Sequence, residues 1–491
     1  EQYSVILVCM AFFFTFLRLH EVKVTEKRVF HIAGFIVVAL GCGLFTNQII
    51  LSDFMEEHQI NIRMFRPMES YQKYGGVLTF ARSVGYVVVK KPEGYTTAKV
   101  DQIIQEYEKK SANEQQSTAK QYPNIITVVN ETFADIKVLG DFKTNEDYMP
   151  YFHSLKKNCV TGYTYASIVG GQTANTEFEL LTGNTLGFLS AGTTAFQLYI
   201  HGQMPSLVSN LKAEGYSGNK AMHPFNPYNY NRPAVYKDFG FTDFIDKFDF
   251  PKNVKRVREY ISDEANVDRI ISEYEKNRKK TDQPFYMYNM TIQNHSPYDK
   301  DAANFKQPIK IESSKYDAEA NRYLNLIKYS DDSLKQLTGY FEKCKEPTII
   351  LFLGDHQPRL TDEFMNKITN GQYQTWSSEQ MMKRYQVPFV IWANYDIKEQ
   401  HIEKTSMNYI QSILTKTAGV KMTGYQRFLN EVRKEVPTIT SQGYWGKNGK
   451  FYQINDKGSP YYGIIQKYRM IQYNMMFDKK NRRDSFFEVS K

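Results

Sequence analysis

The sequence predicts an α/β fold: a central, mostly parallel sheet flanked by helices, with an N-terminal pair of apolar helices and a small C-terminal α+β piece. Three observations carry that expectation. Beyond about residue 120, short and nearly continuous apolar runs alternate with stretches of helical period, the pattern of strands buried on both faces. Three of those runs deliver an ionisable side chain just past their carboxyl ends, the edge at which parallel sheets gather ligands. The chain has 491 residues, enough for a large core in roughly two to four folding units.

Two apolar runs open the chain, Tyr3–Leu17 and Val29–Leu51. The second is long enough to cross a hydrocarbon layer about 30 Å thick, and the first reads as the remainder of another span. The loop between them, RLHEVKVTEKR, holds four Lys or Arg, whereas the residues after the second run, SDFMEEHQ, are acidic. Excess cation marks the cytoplasmic side, so the chain after Leu51 is expected outside the membrane. A chain starting on Glu1 reads as a piece of a longer protein. No small-residue cleavage site follows the runs, which argues against a removed signal peptide.

Residues 52–119 read as a juxtamembrane helical linker, with the polar stretch SANEQQSTAKQ (111–121) marking a boundary. Residues 120–430 hold the alternating pattern. Strands are expected at 125–129, 285–292, 348–353 and 388–393, and helices at 206–216, 318–343 and 407–419. Residues 431–491 are Tyr-rich and basic and read as a C-terminal subdomain.

Composition narrows the function classes. Aromatics make up 15 % of the chain, which suits a membrane or carbohydrate neighbourhood. The net charge of +9 fits either a solvated basic surface or attraction to anionic lipid or polymer. No compact basic block with interleaved aromatics suggests nucleic acid. Cys9, Cys42, Cys159 and Cys344 show no disulfide framework.

The chemistry is expected at the strand ends. IITVV runs into Glu131, FYMYNMTI into His295, and TIILFL into Asp355 and His356. Gly354 lets the last two avoid opposite faces of the strand. Two carboxylates and an imidazole around a divalent cation leave room for a hydroxyl, and mixed oxygen and nitrogen ligation suits Mn2+, Zn2+ or Mg2+. The stretch GGQTANTEFELLTGNT (170–185) offers that hydroxyl. Gly170 and Gly171 allow an abrupt turn, Thr173 then sits where a helix begins, and Glu177 falls four residues on. A metal can make such a hydroxyl a nucleophile, and a helix N-terminus suits a phosphate. The same pattern also suits a threonine that merely caps the helix.

Taken in order, NET, GGQTANTEFE, YNRP, QNHSPY and GDHQP resemble bacterial lipoteichoic acid synthases and related glycerol-phosphate transferases, of the alkaline phosphatase and sulfatase superfamily. The resemblance covers about residues 120–400 and makes 120–430 a sulfatase-like catalytic domain. It implies a membrane-anchored, multi-pass protein with an extracellular catalytic domain. Glu131, Thr173, Asp355 and His356 would hold one divalent metal, Mn2+ in this family, with Thr173 as nucleophile. His295 would contact phosphoglycerol and assist proton transfer. Arg232 would bind phosphate, and Tyr230 stands where the lipoteichoic acid synthases have tryptophan. His223 lies near this region but is read as a structural histidine. The implied donor is phosphatidylglycerol, and the acceptor is a cell-envelope glycopolymer or glycolipid. The Tyr230 departure puts polymerisation against single additions to a polysaccharide. A phosphoethanolamine transferase is the enzymatic rival, although such enzymes usually carry disulfide-forming cysteines. A true sulfatase needs a C/S-x-P-x-R motif that TANTE lacks, and an inactive scaffold would tolerate loss of one of the four ligands.

Overall fold

The computed structural model describes residues 28–47, 67–87, 89–111, 121–312, 317–371 and 373–489. Contacts divide the chain into two units, Glu1–Lys90 with Ser190–Thr194, and Lys91–Leu189 with Ala195–Lys491.

In the first unit the run predicted from Val29 is helical over Arg28–Phe45 (α1), and its large apolar side chains from Phe35 to Phe45 include seven more than 40 % exposed. Two shorter helices follow, Pro67–Tyr74 (α2) and Gly76–Gly85 (α3), joined by the Thr79 hydroxyl donating to Ser70 O at 3.1 Å. No helix among the described residues is long and apolar enough to cross a membrane. Tyr3–Leu17 and the end of the second apolar run lie outside the described residues.

The second unit is built on one eight-stranded sheet, ordered β10-β2-β9-β8-β1-β7-β3-β4. The strands are β1 (Asn124–Asn130), β2 (Cys159–Tyr165), β3 (Ser217–Met222), β4 (Asp243–Ile245), then a small hairpin of β5 (Arg256–Val257) and β6 (Tyr260–Ile261), then β7 (Phe285–Met290), β8 (Thr348–Gly354), β9 (Gln386–Ala393) and β10 (Gln400–Ser406). Only β9 runs antiparallel to its neighbours in the large sheet. Every residue of β1, β7 and β8 is buried, which is why these segments read as unbroken apolar runs. Ile126, Val128, Ile350 and Phe352 face helices Asp263–Arg278 and Ala318–Phe341 across one core.

The remaining helices used below are Thr97–Ser111 (α4), Thr173–Thr182 (α5), Arg232–Phe239 (α6), Asp263–Arg278 (α7), Ala318–Phe341 (α8), Met407–Thr417 (α9), Gly424–Glu435 (α10) and Tyr462–Met476 (α11). A three-stranded antiparallel sheet, Thr438–Thr440, Gly443–Trp445 and Phe451–Tyr452, follows α10. α4 packs on α10 and α11, with the Tyr107 and Phe428 rings 4.7 Å apart and Lys467 Nζ 2.7 Å from the Glu106 carboxylate.

Candidate active site

Parallel pairing sets the site. β1 and β8 lie in register with Asn130 opposite Gly354, so the residues that follow, Glu131 and Asp355, leave the sheet side by side. Glu131, Asp355 and His356 each offer a ligand atom within 4.8 Å of the others, and all three are buried. A side chain at Gly354 would place its Cβ 1.8 Å from Phe133 O. The glycine therefore serves close packing of two backbones; its φ is not in the left-handed region expected of a tight turn.

The donor set fits a cation. Asp355 Oδ1 is spent on the backbone N–H groups of Thr132 (2.7 Å) and His356 (2.8 Å). His356 Nδ1 lies 3.0 Å from Gln357 O and donates to it, which leaves Nε2 as the lone-pair nitrogen. That nitrogen sits 3.2 Å from Asp355 Oδ2 and 3.8 Å from Glu131 Oε1. Asp355 Oδ2 and His356 Nε2 are buried with no hydrogen-bond partner among the described residues. Burial and the neighbouring Asp355 push the Glu131 carboxyl well above the usual carboxylate range. A cation among these atoms would satisfy all of them at once.

Thr173 approaches the same point from another element. Gly170 (φ +66), Gly171 (φ +137) and Gln172 (φ +68) turn the chain into α5, whose first residue is Thr173. Gln172 occupies the N-cap, so Thr173 does not cap, and its hydroxyl points to Glu131 Oε2 at 3.5 Å. The other threonines have separate partners. Thr176 donates to Asp355 O at 2.8 Å, Thr182 to Phe178 O at 2.7 Å, and Thr185 to Glu179 at 3.2 Å.

Arg232 is 1 % exposed. Its Nε and Nη2 donate to Glu177 Oε1 at 3.1 and 2.7 Å, and the hydroxyls of Tyr236 and Tyr288 donate to Glu177 Oε2. Burial opposes the guanidinium charge, but Glu177 more than offsets it and holds its pKa above the usual value. The guanidinium carbon stands 5.1 Å over the Tyr230 ring, and Tyr230 and Asn231 both take left-handed backbone angles just before α6. Such angles in non-glycine residues cost of order 1–3 kcal/mol each and mark a loop held by its surroundings. Tyr230, Arg232 and Glu131 lie close enough for their charges to act on one another.

His295 follows β7. Its Nδ1 lies 2.7 Å from Ser296 O, to which it donates, so Nε2 is the basic nitrogen. Burial lowers its pKa, and His356 lowers it further. The loop carrying it is gripped by Arg258, which donates to Gln293 O at 2.9 Å, His295 O at 2.7 Å and Pro297 O at 2.7 Å. His223, read from sequence as structural, is 2 % exposed, with Nδ1 3.0 Å from Met290 O. Burial and then Arg232 and His295 press its pKa well below the usual value, so it borders the same group of residues. Glu177 and Arg258 were not singled out as site residues from sequence. Glu177 carried a faint signal, its place one helical turn beyond Thr173; Arg258 carried none.

A sequence profile of the Sulfatase family matches residues 123–420, more than half of the chain. The chain belongs to the sulfatase family. Within it, the chain is a lipoteichoic acid synthase-like member of the alkaline phosphatase and sulfatase superfamily. It is 30 % identical over 433 residues to a protein of Rhizobium meliloti named for cyclic beta-1,2-glucan modification, covering 87 % of this chain and 65 % of that one. It is 27 % identical over 240 residues to the lipoteichoic acid synthase-like YvgJ of Bacillus subtilis, covering 48 % of this chain and 36 % of that one. The chain thus spans less than two thirds of the length of these relatives. The fold is shared with the Streptococcus pyogenes phosphoglycerol transferase GacH, solved with sn-glycerol-1-phosphate, at a TM-score of 0.66 and 20 % identity over 82 % of this chain and all of that one.

Proposed function

We propose that this chain is a phosphoglycerol transferase that moves glycerol phosphate from phosphatidylglycerol to a cell-envelope glycopolymer through a covalent intermediate on Thr173. The observation that carries the reading is the convergence of the Thr173 hydroxyl, at 3.5 Å from Glu131, on the cluster of Glu131, Asp355 and His356. Glu131, Thr173, Asp355 and His356 would hold one divalent cation, Mn2+ by family resemblance. When bound, such an ion lowers the pKa of a coordinated hydroxyl and offsets charge on phosphoryl oxygens.

The chain's own groups supply the rest. In the first half-reaction the Thr173 oxygen bonds to phosphorus, the ester bond to diacylglycerol breaks, and the proton that Thr173 gives up passes to the departing oxygen, so diacylglycerol leaves as the alcohol. Arg232, fixed by Glu177, faces charge that grows on the phosphoryl oxygens. The N-terminus of α5 adds free backbone N–H groups at the same place. In the second half-reaction an acceptor hydroxyl gives its proton to His295 Nε2, its oxygen displaces Thr173, and the freed Thr173 oxygen takes that proton back from His295. Tyr230, under Arg232, would bound the glycerol side.

The names of the relatives support this reading and divide over the polymer, lipoteichoic acid in one case and a cyclic glucan in the other. The glucan reading takes support from the relative matched over 87 % of this chain. The membrane lipid donor accords with anchoring by the runs Tyr3–Leu17 and Val29–Leu51, which would leave the catalytic unit outside the cell. The test is incubation with phosphatidylglycerol labelled in its headgroup glycerol. Label should pass to a glycopolymer, and Thr173→Ala should stop it with thermal stability retained. Full transfer by that variant, or transfer only from a parallel sample of phosphatidylethanolamine labelled in its ethanolamine, would sink the proposal.

A further inference from the structure

Among the described residues from Lys91 onward, every Phe, Tyr and Trp is at least half withdrawn from solvent except two. Tyr228 is 79 % exposed and Phe248 is 73 % exposed. In a chain with 36 Tyr and 33 Phe, whose catalytic unit otherwise covers its rings, these exceptions are not scattered. Tyr228 lies on the loop after β3 and Phe248 on the loop after β4. The two loops are bonded to each other, His223 N donating to Ile245 O at 2.9 Å and Lys247 N to Phe225 O at 3.4 Å. Both leave the sheet at the edge that carries the candidate catalytic residues, because β4, β3, β7 and β1 are mutually parallel.

Phe248 is tied to the site through Lys247 and Phe225, and Tyr228 follows Phe225 by three residues on the same loop. The Phe225 ring stacks on His295, with centroids 6.3 Å apart and planes 22° apart. Lys247 Nζ lies 5.9 Å from the Phe225 centroid and 4.9 Å from that of Phe248. On the loop of Phe225, Tyr228 precedes Tyr230 and Arg232, and the exposed Asn229 and Asn231 follow it. Asn226 Oδ1 accepts from Tyr228 N at 3.2 Å and fixes the loop beneath the ring.

We propose that Tyr228 and Phe248 form an aromatic platform on which sugar rings of the acceptor glycopolymer rest, directing a hydroxyl toward His295. This rests on the transferase reading above. Flat rings with polar tips offer large contact area at small entropic cost, and neighbouring amides can bond sugar hydroxyls from both donor and acceptor sides. A bilayer surface is the other partner such rings could meet. The surroundings disfavour it: within three residues of Phe248 stand one cation, Lys247, and two carboxylates, Asp246 and Asp249, not the cationic surround that draws a loop to anionic headgroups.

The test is calorimetric titration of the full chain with cyclic beta-1,2-glucan, with polyglycerol phosphate and with phosphatidylglycerol vesicles. The double variant Tyr228→Ala, Phe248→Ala should bind the glucan at least roughly tenfold more weakly, as loss of central aromatic anchors does. Tyr228→Phe with Phe248→Tyr should restore affinity. Both positions are exposed, so melting temperatures should match. Equal glucan binding by the alanine variant, or no glucan binding by the parent chain, overturns the platform. So does loss of vesicle binding with glucan binding kept, which would assign the rings to the membrane. Ring-dependent glucan binding without any transfer of label to the glucan leaves the platform standing and faults the transferase reading instead.

Discussion

Glu177 accepts four hydrogen bonds with no solvent to help it: two from Arg232, one from Tyr236 and one from Tyr288. Replacing it by glutamine keeps the volume and removes the charge, leaving a guanidinium buried without its counter-ion. Breaking a buried pair from one side typically costs about 3–5 kcal/mol. Glu177→Gln should therefore lower the unfolding free energy by that amount, seen as a lower urea midpoint at unchanged slope, and it should weaken donor binding by freeing Arg232. A stability within about 1 kcal/mol of the parent would contradict this account. At this scale the sequence was informative where a residue follows a strand or a glycine pair directly, as Glu131, Thr173, Asp355 and His356 do. It was silent on pairs such as Glu177 with Arg232, which are 55 residues apart and meet only because the sheet order brings α5 and α6 together.

Among the elements, the hairpin β5–β6 shows how little chain is needed to hold a catalytic loop. Its strands are two residues each, yet Arg258 between them binds three carbonyls of the loop that carries His295. Arg258→Ala should lower transfer turnover by roughly tenfold, since positioning within an ångström governs such steps. The pH profile gives the separate signature. A neutral imidazole is the active form, and burial, His356 and the Arg258 charge all lower the His295 pKa. With the arginine gone, the pKa should rise toward the usual value, so the acidic limb of turnover should move to higher pH. A profile unchanged in position would exclude the positioning role. Hairpins this short carry no periodicity to read. β3, with Asn219 and Lys220 inside it, also escaped notice, because polar residues at a register shift break the apolar signal. The antiparallel direction of β9 was equally illegible: an apolar run reports burial on both faces and says nothing of direction.

For the whole molecule, one buried carboxyl ties the sheet region to the C-terminal part of the chain. Glu179 Oε1 accepts from Ser167 (2.7 Å), Thr185 (3.2 Å) and Leu186 N (2.9 Å), while Ser441 N donates to the same Ser167 hydroxyl at 3.2 Å. Burial raises the Glu179 pKa to about 7 despite those donors. The unfolded chain releases this proton near the ordinary glutamate value while the folded chain keeps it. The stabilisation is therefore complete below about pH 4.5, declines as pH rises, and is lost once pH passes about 7, on the order of 3 kcal/mol in all. Thermal melts from pH 5 to pH 8 should fall for the parent relative to Glu179→Gln, and parallel curves would refute the assignment. The α/β architecture was legible from alternating strand and helix patterns. The placement of α4 against α10 and α11 was not, because amphipathic helices announce an apolar face without naming what covers it.

Thr173 and Glu177 stand on the same helix, one turn apart, and Glu177 holds Arg232. On the proposed reading, the oxygen that attacks and the carboxylate that holds the balancing cation are mounted on a single rigid bar. Breathing of the sheet shifts the bar without opening its jaws. Such a caliper measures its object: discrimination among oxyanions by size would follow from the helix itself, and drift in the surrounding loops could change what is delivered to the jaws while leaving their gap untouched.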